Sequence, residues 1–283
     1  MLNDVTFGQY YPTKSFIHNL DPRIKLLFLI AYIVMLFVAD TFYSLALCAL
    51  ILLIIVIASR VPIGSVLRSV KGVIFILVFT SLLNVFFHGG SDENLLFKAG
   101  IIHIYTEGII FAVFLTLRLF FLVMCSAVLT LTTTPVNLCD GLESLLFPLS
   151  LIKVPVHVLA LIMSIALRFI PTLMDETNRI IAAQKARGAE FDSGNIFKRA
   201  KAIIPVLIPL LISAFRRAEE LGDAMDARCY SSTKKRTKYK KLKFGWRDIF
   251  AVLFAGILIA GVILLDMYAY KIFPQIYYYM VIR

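Results

Sequence analysis

The chain has 283 residues, of which 60% are hydrophobic and only 17% charged, with 29 Lys/Arg against 18 Asp/Glu for a formal net charge of +11. Mean hydropathy is +0.85. An ordinary soluble domain is nearer half apolar and a quarter charged, so composition excludes that class and points to a polytopic membrane protein.

The first twenty residues carry no cleavable signal pattern, because Tyr10, Pro12, Lys14 and His18 interrupt any apolar core. A retained N-terminus is expected. Asp21-Pro22 then places an N-cap before a proline at the first helical position, a good start for a span. Residues 24–59 are almost wholly apolar, broken by Lys25 and Asp40. As one helix this run would reach about 54 Å against a hydrocarbon core of roughly 30 Å, so it must fold back, and Asp40-Thr41 is the expected turn. Spans are predicted at 24–39, 42–59, 73–88, 108–131 (containing Arg118) and between Asp248 and Asp266. Gly256 and Ala260 in the last form a small-xxx-small pair, which permits close helix approach.

Two apolar runs, 154–167 and 203–215, look too short to span as helices. If both crossed, seven Lys/Arg between 168 and 202 would lie outside, against the positive-inside bias. The stretch from about 132 to 247 is therefore read as cytoplasmic. Residues 135–247 hold 19 Lys/Arg and 10 Asp/Glu. Much of that surplus is KKRTKYKKLK (234–243), read as an anchor on anionic headgroups and not as a nucleic-acid site. The loop 61–71 is basic and the loop 89–107 acidic, which agrees with five spans, an inside N-terminus and an outside C-terminus.

The cytoplasmic block reads as three helices. Thr134-Pro135 starts one over about 135–150. Val154-Pro155 starts a long one to Arg187, with Gly188 at the position past the end, where a left-handed backbone is needed. The third covers about 195–228, and Arg216, Glu219, Glu220, Asp223 and Asp226 crowd its second half at spacings that allow i,i+3 and i,i+4 pairs. The chain has no GxxxxGK[ST] phosphate loop, HExxH or GxSxG. The histidines (18, 88, 103, 157) are scattered and read as structural or interfacial. The acid pairs Asp175-Glu176 and Glu219-Glu220 diverge around a helix. Cys48, Cys125, Cys139 and Cys229 show neither CxxC spacing nor a nearby histidine, so they read as small apolar fillers.

Two Ala-Arg pairs remain, each at the end of a charged helical run. A small residue beside an extended guanidinium lets a helix tip enter a groove, where the fork can bind carboxylates. Ala186-Arg187-Gly188 and Ala227-Arg228-Cys229 resemble the two Ala-Arg-Gly signatures of the transmembrane T component (EcfT, CbiQ-like) of energy-coupling factor transporters, a branch of ABC importers. In the second, Cys229 replaces glycine. The opening YYPTKSFIHNLDPRIKL is similar to that family's, with Ser15, His18, Asp21, Pro22, Arg23 and Lys25 in place and Thr13 where a glycine is usual.

The resemblance implies an all-α membrane scaffold without catalytic activity of its own. It also implies two ABC ATPase subunits bound at Arg187 and Arg228, and one membrane-embedded S component that binds a vitamin or trace metal ion. ATP and Mg would be bound by the ATPase subunits, and no cofactor or metal by this chain. The expected organisation is 1–131 for the N-terminal segment and four spans, 132–247 for the coupling domain, and 248–283 for the last span and tail. The rival readings are a self-contained membrane carrier with Arg118 in its path, since an arginine inside a span is a functional candidate, and a membrane enzyme acting on lipid.

Overall fold

The computed structural model describes residues 10–87, 95–99, 102–189, 191, 196–230 and 245–272. His88 and the basic run 234–243 lie outside them. The architecture is helical, in chain order α1 (Pro22–Val38), α2 (Phe42–Ser59), α3 (Ile63–Lys71), α4 (Ile74–Phe87), α5 (Thr106–Thr132), α6 (Pro135–Leu145), α7 (Val156–Ala186), α8 (Ile196–Ala227) and α9 (Trp246–Ile272), with a short 3-10 helix at Phe147–Ile152. Ahead of α5, in a region read from sequence as plain loop, β1 (Leu95–Ala99) and β2 (Ile102–Tyr105) pair antiparallel, with Ala99 opposite Ile102 and an irregularity between Leu95 and Phe97.

The boundaries follow local chemistry. Asp21 caps α1 by accepting the Arg23 N–H at 2.9 Å. The turn falls where Asp40-Thr41 predicted it, and Thr41 and Ser44 form a reciprocal capping box on α2. Thr134 opens α6, its carbonyl accepting Leu138 N–H at 3.0 Å.

The chain divides into two compact units. Among the described residues, one comprises those from 146 to 230, and the other those from 10 to 145 with those from 245 to 272. In the second unit α5 packs against α1, α2, α3 and α4, and α9 lies on α1 and α2. Tyr32, Leu36, Leu45, Cys48, Ile51 and Val128 are among its core. Tyr32 donates to the Cys48 carbonyl at 3.1 Å. α6 packs on α1 at Gly141, where an added Cβ would stand 3.1 Å from Pro22 Cβ and 3.2 Å from Pro22 carbonyl carbon. By contrast, a Cβ at Gly256 would meet nothing within 4 Å. The Gly256/Ala260 pair therefore serves no close approach among the described residues, and the tight glycine contact is Gly141.

By length and apolarity, α2, α5, α7 and the Ala251–Tyr268 part of α9 suffice to cross a bilayer, and α3 with α4, bent by 60°, would make a fifth. The number agrees with the sequence reading, but the membership does not. α1 has 17 residues and reaches about 26 Å. The run 154–167, read as too short, supplies from Val156 onward the start of the 31-residue α7. Likewise 203–215 lies inside the 32-residue α8, which continues through Pro205 and Pro209. Length therefore excludes neither run, because the helices extend into polar sequence that hydropathy alone had trimmed away.

Candidate coupling site

In the unit that holds them, α7 and α8 pack on one another. Arg217 Nη2 donates to Glu176 Oε2 at 2.8 Å across that contact. Glu176 precedes Arg187 by eleven residues, and Arg217 precedes Arg228 by the same eleven. The acids Glu219, Glu220, Asp223 and Asp226 stay exposed, so the cation that forms this ion pair, Arg217, reaches across to α7.

The two helix ends share one hydrogen-bond pattern. After α7, Gly188 N–H donates to Lys185 O and Ala189 N–H to Gln184 O, both at 3.0 Å. After α8, Cys229 N–H donates to Asp226 O at 2.8 Å and Tyr230 N–H to Met225 O at 2.9 Å. Both are Schellman motifs, with Arg187 and Arg228 at the cap and the next residue left-handed. Gly188 has φ +85° and Cys229 φ +54°. Cys229 thus adopts the geometry that glycine would, at the cost of a Cβ in the left-handed region. It is exposed, so it is not an apolar filler as the sequence reading had it. Cys48 and Cys125 are in the core, and Cys139 is half-buried. Ala186, Arg187, Ala227 and Arg228 are all exposed, so each tip offers a small residue and a guanidinium.

The N-terminal motif builds a knot in the other unit. His18 Nε2–H donates to Tyr11 O at 3.0 Å, while Nδ1 accepts from the buried Ser15 hydroxyl at 2.7 Å. Thr13 Oγ1 lies 3.3 Å from Nε2, and Tyr11 N–H donates to Leu131 O at 2.9 Å. Burial and the nearby Lys25 ammonium lower the His18 pKa from its ordinary 6.5, outweighing the opposing pull of the Tyr11 carbonyl. Lys25 itself, 7% exposed, donates to His18 O (3.3 Å), Thr132 O (3.0 Å) and Thr133 Oγ1 (3.2 Å). Asp21 and Pro22 are buried at the start of α1. The Arg23 Nε atom, also buried, has no hydrogen-bond partner among the described residues. Sequence reasoning named Lys25 as a break in the apolar run and by resemblance, and Asp248 and Asp266 as the bounds of the last span, but it missed Gly141 and the partners of all four, which lie on distant segments.

Arg118 Nη2 donates to Ala39 O at 2.6 Å, and its guanidinium lies over Phe114 at 4.9 Å and Phe37 at 5.7 Å. Among the described residues no group of three metal-capable side chains is found.

The family described as "Cobalt transport protein" (CbiQ) matches residues 13–239. The chain is 48% identical over 259 residues to the energy-coupling factor transporter transmembrane protein EcfT of Clostridium kluyveri, covering 92% of this chain and 96% of that one. It is 45% identical to the EcfT of Ruminiclostridium cellulolyticum, over 94% and 98% of the two chains. Against the Bacillus subtilis EcfT the identity is 44%, over 88% and 93%. The chain belongs to the EcfT/CbiQ family, the multi-pass, non-catalytic transmembrane components of energy-coupling factor transporters. Both rival readings, the self-contained carrier and the lipid enzyme, give way to this membership.

Proposed function

We propose that this subunit couples ATP hydrolysis by two ATP-binding cassette subunits to uptake of a vitamin or trace metal ion through a small membrane-embedded S component. The observation that carries the reading is the pair of exposed Ala-Arg tips, each presented by the same Schellman geometry. Each guanidinium would enter a groove of one ATPase subunit and meet carboxylates there as a bidentate fork. ATP and Mg would be held by those subunits, and closure of the ATPase pair would draw the tips together. The exposed apolar residues on the first halves of α7 and α8, such as Leu159, Ile162, Leu207 and Leu211, suit a face that passes this shift to the S component.

The topology we propose has α7 and α8 on the cytoplasmic side, within a coupling segment 132–247 between segments 1–131 and 248–283. The basic residues from Arg168 to Lys201 support this side. α1 and α9 run parallel, as their end-to-end contacts require (Asp21 to Asp248, Asp40 to Asp266), which supports crossings in the same sense and an outside C-terminus. Single cysteines at Ser91 and Ser231 test this: labelling of both from one side overturns it.

The coupling role is tested by substrate uptake, ATPase rate and subunit retention in Arg187→Ala, Arg228→Ala, the two Lys variants and the double Ala mutant. Truncating one member of a buried charge pair costs about 2–5 kcal/mol. Each single change uncouples hydrolysis while the other tip still holds the complex. The double change releases the ATPase pair, and Lys rescues only in part. Normal uptake in the double mutant overturns the reading.

A further inference from the structure

Glu176 and Arg217 form the ion pair found between α7 and α8 among the described residues. Arg217 Nε also lies 3.5 Å from Ser213 Oγ, one turn back on its own helix, so the guanidinium is steadied from both helices. Each partner stands eleven residues before its tip arginine, Arg187 or Arg228. Eleven residues make about three turns and about 16.5 Å of helix. Each partner therefore shares a helix face with its tip, and two arms of equal length run from one contact. On each helix the contact also falls where apolar sequence gives way to charged sequence. α7 carries one charged residue, Arg168, before Asp175-Glu176, and α8 carries none between Lys201 and Arg216-Arg217. We propose that the Glu176–Arg217 pair is the positioning contact of the two coupling helices, fixing the register at which the Arg187 and Arg228 tips stand at equal reach. The assignment rests on the two-tip reading of the coupling site and adds the residues that set its geometry.

The pair is better suited to register than to stability. The Arg217 and Glu176 side chains are 31% and 27% exposed, and an ion pair that meets water gains little net free energy. Within each adjacent couple of charges, Asp175 and Arg216 are exposed while Glu176 and Arg217 are half-buried, so the inward members are the ones that pair. Apolar helix faces tolerate slippage, because rows of aliphatic side chains interlock at more than one offset. A slip of one turn, about 5.4 Å, leaves such rows packed but carries Glu176 out of reach of Arg217. One polar contact beside an apolar seam thereby selects a single register. Equal arms give that register a use. When the helices turn about this contact, a change of about 10° in crossing angle alters the tip separation by up to about 3 Å over arms of this length.

The test measures tip separation by double electron–electron resonance on the full chain in nanodiscs. Nitroxides are placed through Ala183→Cys and Ala224→Cys, both exposed and each four residues before its tip arginine, in a Cys139→Ser, Cys229→Ser background. The chain with Glu176 and Arg217 intact should give one narrow distance distribution. Glu176→Gln and Arg217→Gln should at least about double its width, since one turn of slip moves a tip by about 5.4 Å. Arg217→Lys keeps a charged donor, and Glu176→Arg combined with Arg217→Glu restores the pair in reverse, so each should recover most of the narrow distribution. In the complex with the ATPase subunits, Mg–AMP-PNP should shift the narrow peak of the intact pair and fail to do so in Glu176→Gln, whose tips still hold the subunits. Unchanged widths in both Gln variants overturn the proposal, as does a full nucleotide-driven shift in Glu176→Gln. Broadening that neither Arg217→Lys nor the reversed pair corrects also overturns it and assigns the effect to side-chain packing. None of these outcomes touches the two-tip reading, which fails separately if the Arg187→Ala, Arg228→Ala double variant still retains the ATPase subunits.

Discussion

Thr41 donates its hydroxyl hydrogen bond to Asp266 Oδ1 at 2.6 Å, across 225 residues of sequence. The other oxygen of Asp266 lies 3.4 Å from Asp40 N–H. At the opposite end of α9, Asp248 accepts from Asp21 N–H at 3.1 Å and from Gly245 N–H at 2.8 Å. Two carboxylates eighteen residues apart on one helix, about 27 Å along its axis, thus clamp both ends of α1. Asp248→Ala or Asp266→Ala leaves these donors without their partners, at a cost of about 1–3 kcal/mol each. Both variants should show a lower thermal midpoint in detergent, and the double variant should retain α9 less well under limited proteolysis. Unchanged midpoints would mean that packing alone holds α9.

Arg118, midway along α5, donates to the carbonyl of Ala39 and lies over two phenyl rings. We predict a structural role for it, since these contacts are all to side chains and backbone of this chain. Arg118→Leu leaves the Ala39 carbonyl without this donor and should reduce the amount of purified protein and of assembled complex. Arg118→Lys should recover part of it, since an ammonium can reach the carbonyl but lacks the planar face. A variant that assembles normally but changes transport selectivity would return Arg118 to a substrate path.

The two helix tips make a paired prediction. Cys229 holds φ +54°, so Cys229→Gly should relieve about 1 kcal/mol of backbone strain. Gly188 has φ +85°, and no heavy atom of the described residues lies within 4 Å of its missing Cβ, so Gly188→Ala should cost about 1 kcal/mol through conformation alone. Thermal unfolding of both variants, read with ATPase-subunit retention, checks the opposite signs. Equal signs would show that the side chain of Cys229 has a contact role.

His18 sets a pH dependence. Its folded pKa is below the ordinary 6.5 because burial disfavours the cation. The folded state therefore binds fewer protons than the unfolded chain between the two values. The stability associated with the neutral ring is full above about pH 6.5 and is lost as pH falls through the folded value. Protonation also removes the acceptor that Ser15 uses. The thermal midpoint should drop on going from about pH 7.5 to about pH 5.5, and by less in His18→Gln. An equal drop in both would assign the acid sensitivity to other groups.

The sequence by itself determined what is local. Composition set the class, and Asp21-Pro22, Asp40-Thr41 and Thr134-Pro135 marked helix starts that the structure keeps. Such signals work because a cap bonds its own first turn, within about four residues. The two Ala-Arg ends were legible for the same reason. Tertiary structure decided the rest. α1 and α2 are apolar on nearly every side, and a helix without a polar face carries no periodic mark of which neighbour it meets. Hence the pairing of Lys25 with Thr132, of Gly141 with Pro22, and of Asp248 and Asp266 with the two ends of α1 emerged only when residues more than a hundred positions apart were brought together. The lengths of α7 and α8 belong to the same class. Each continues from an apolar run into a charged one, because backbone hydrogen bonding does not stop where hydropathy does.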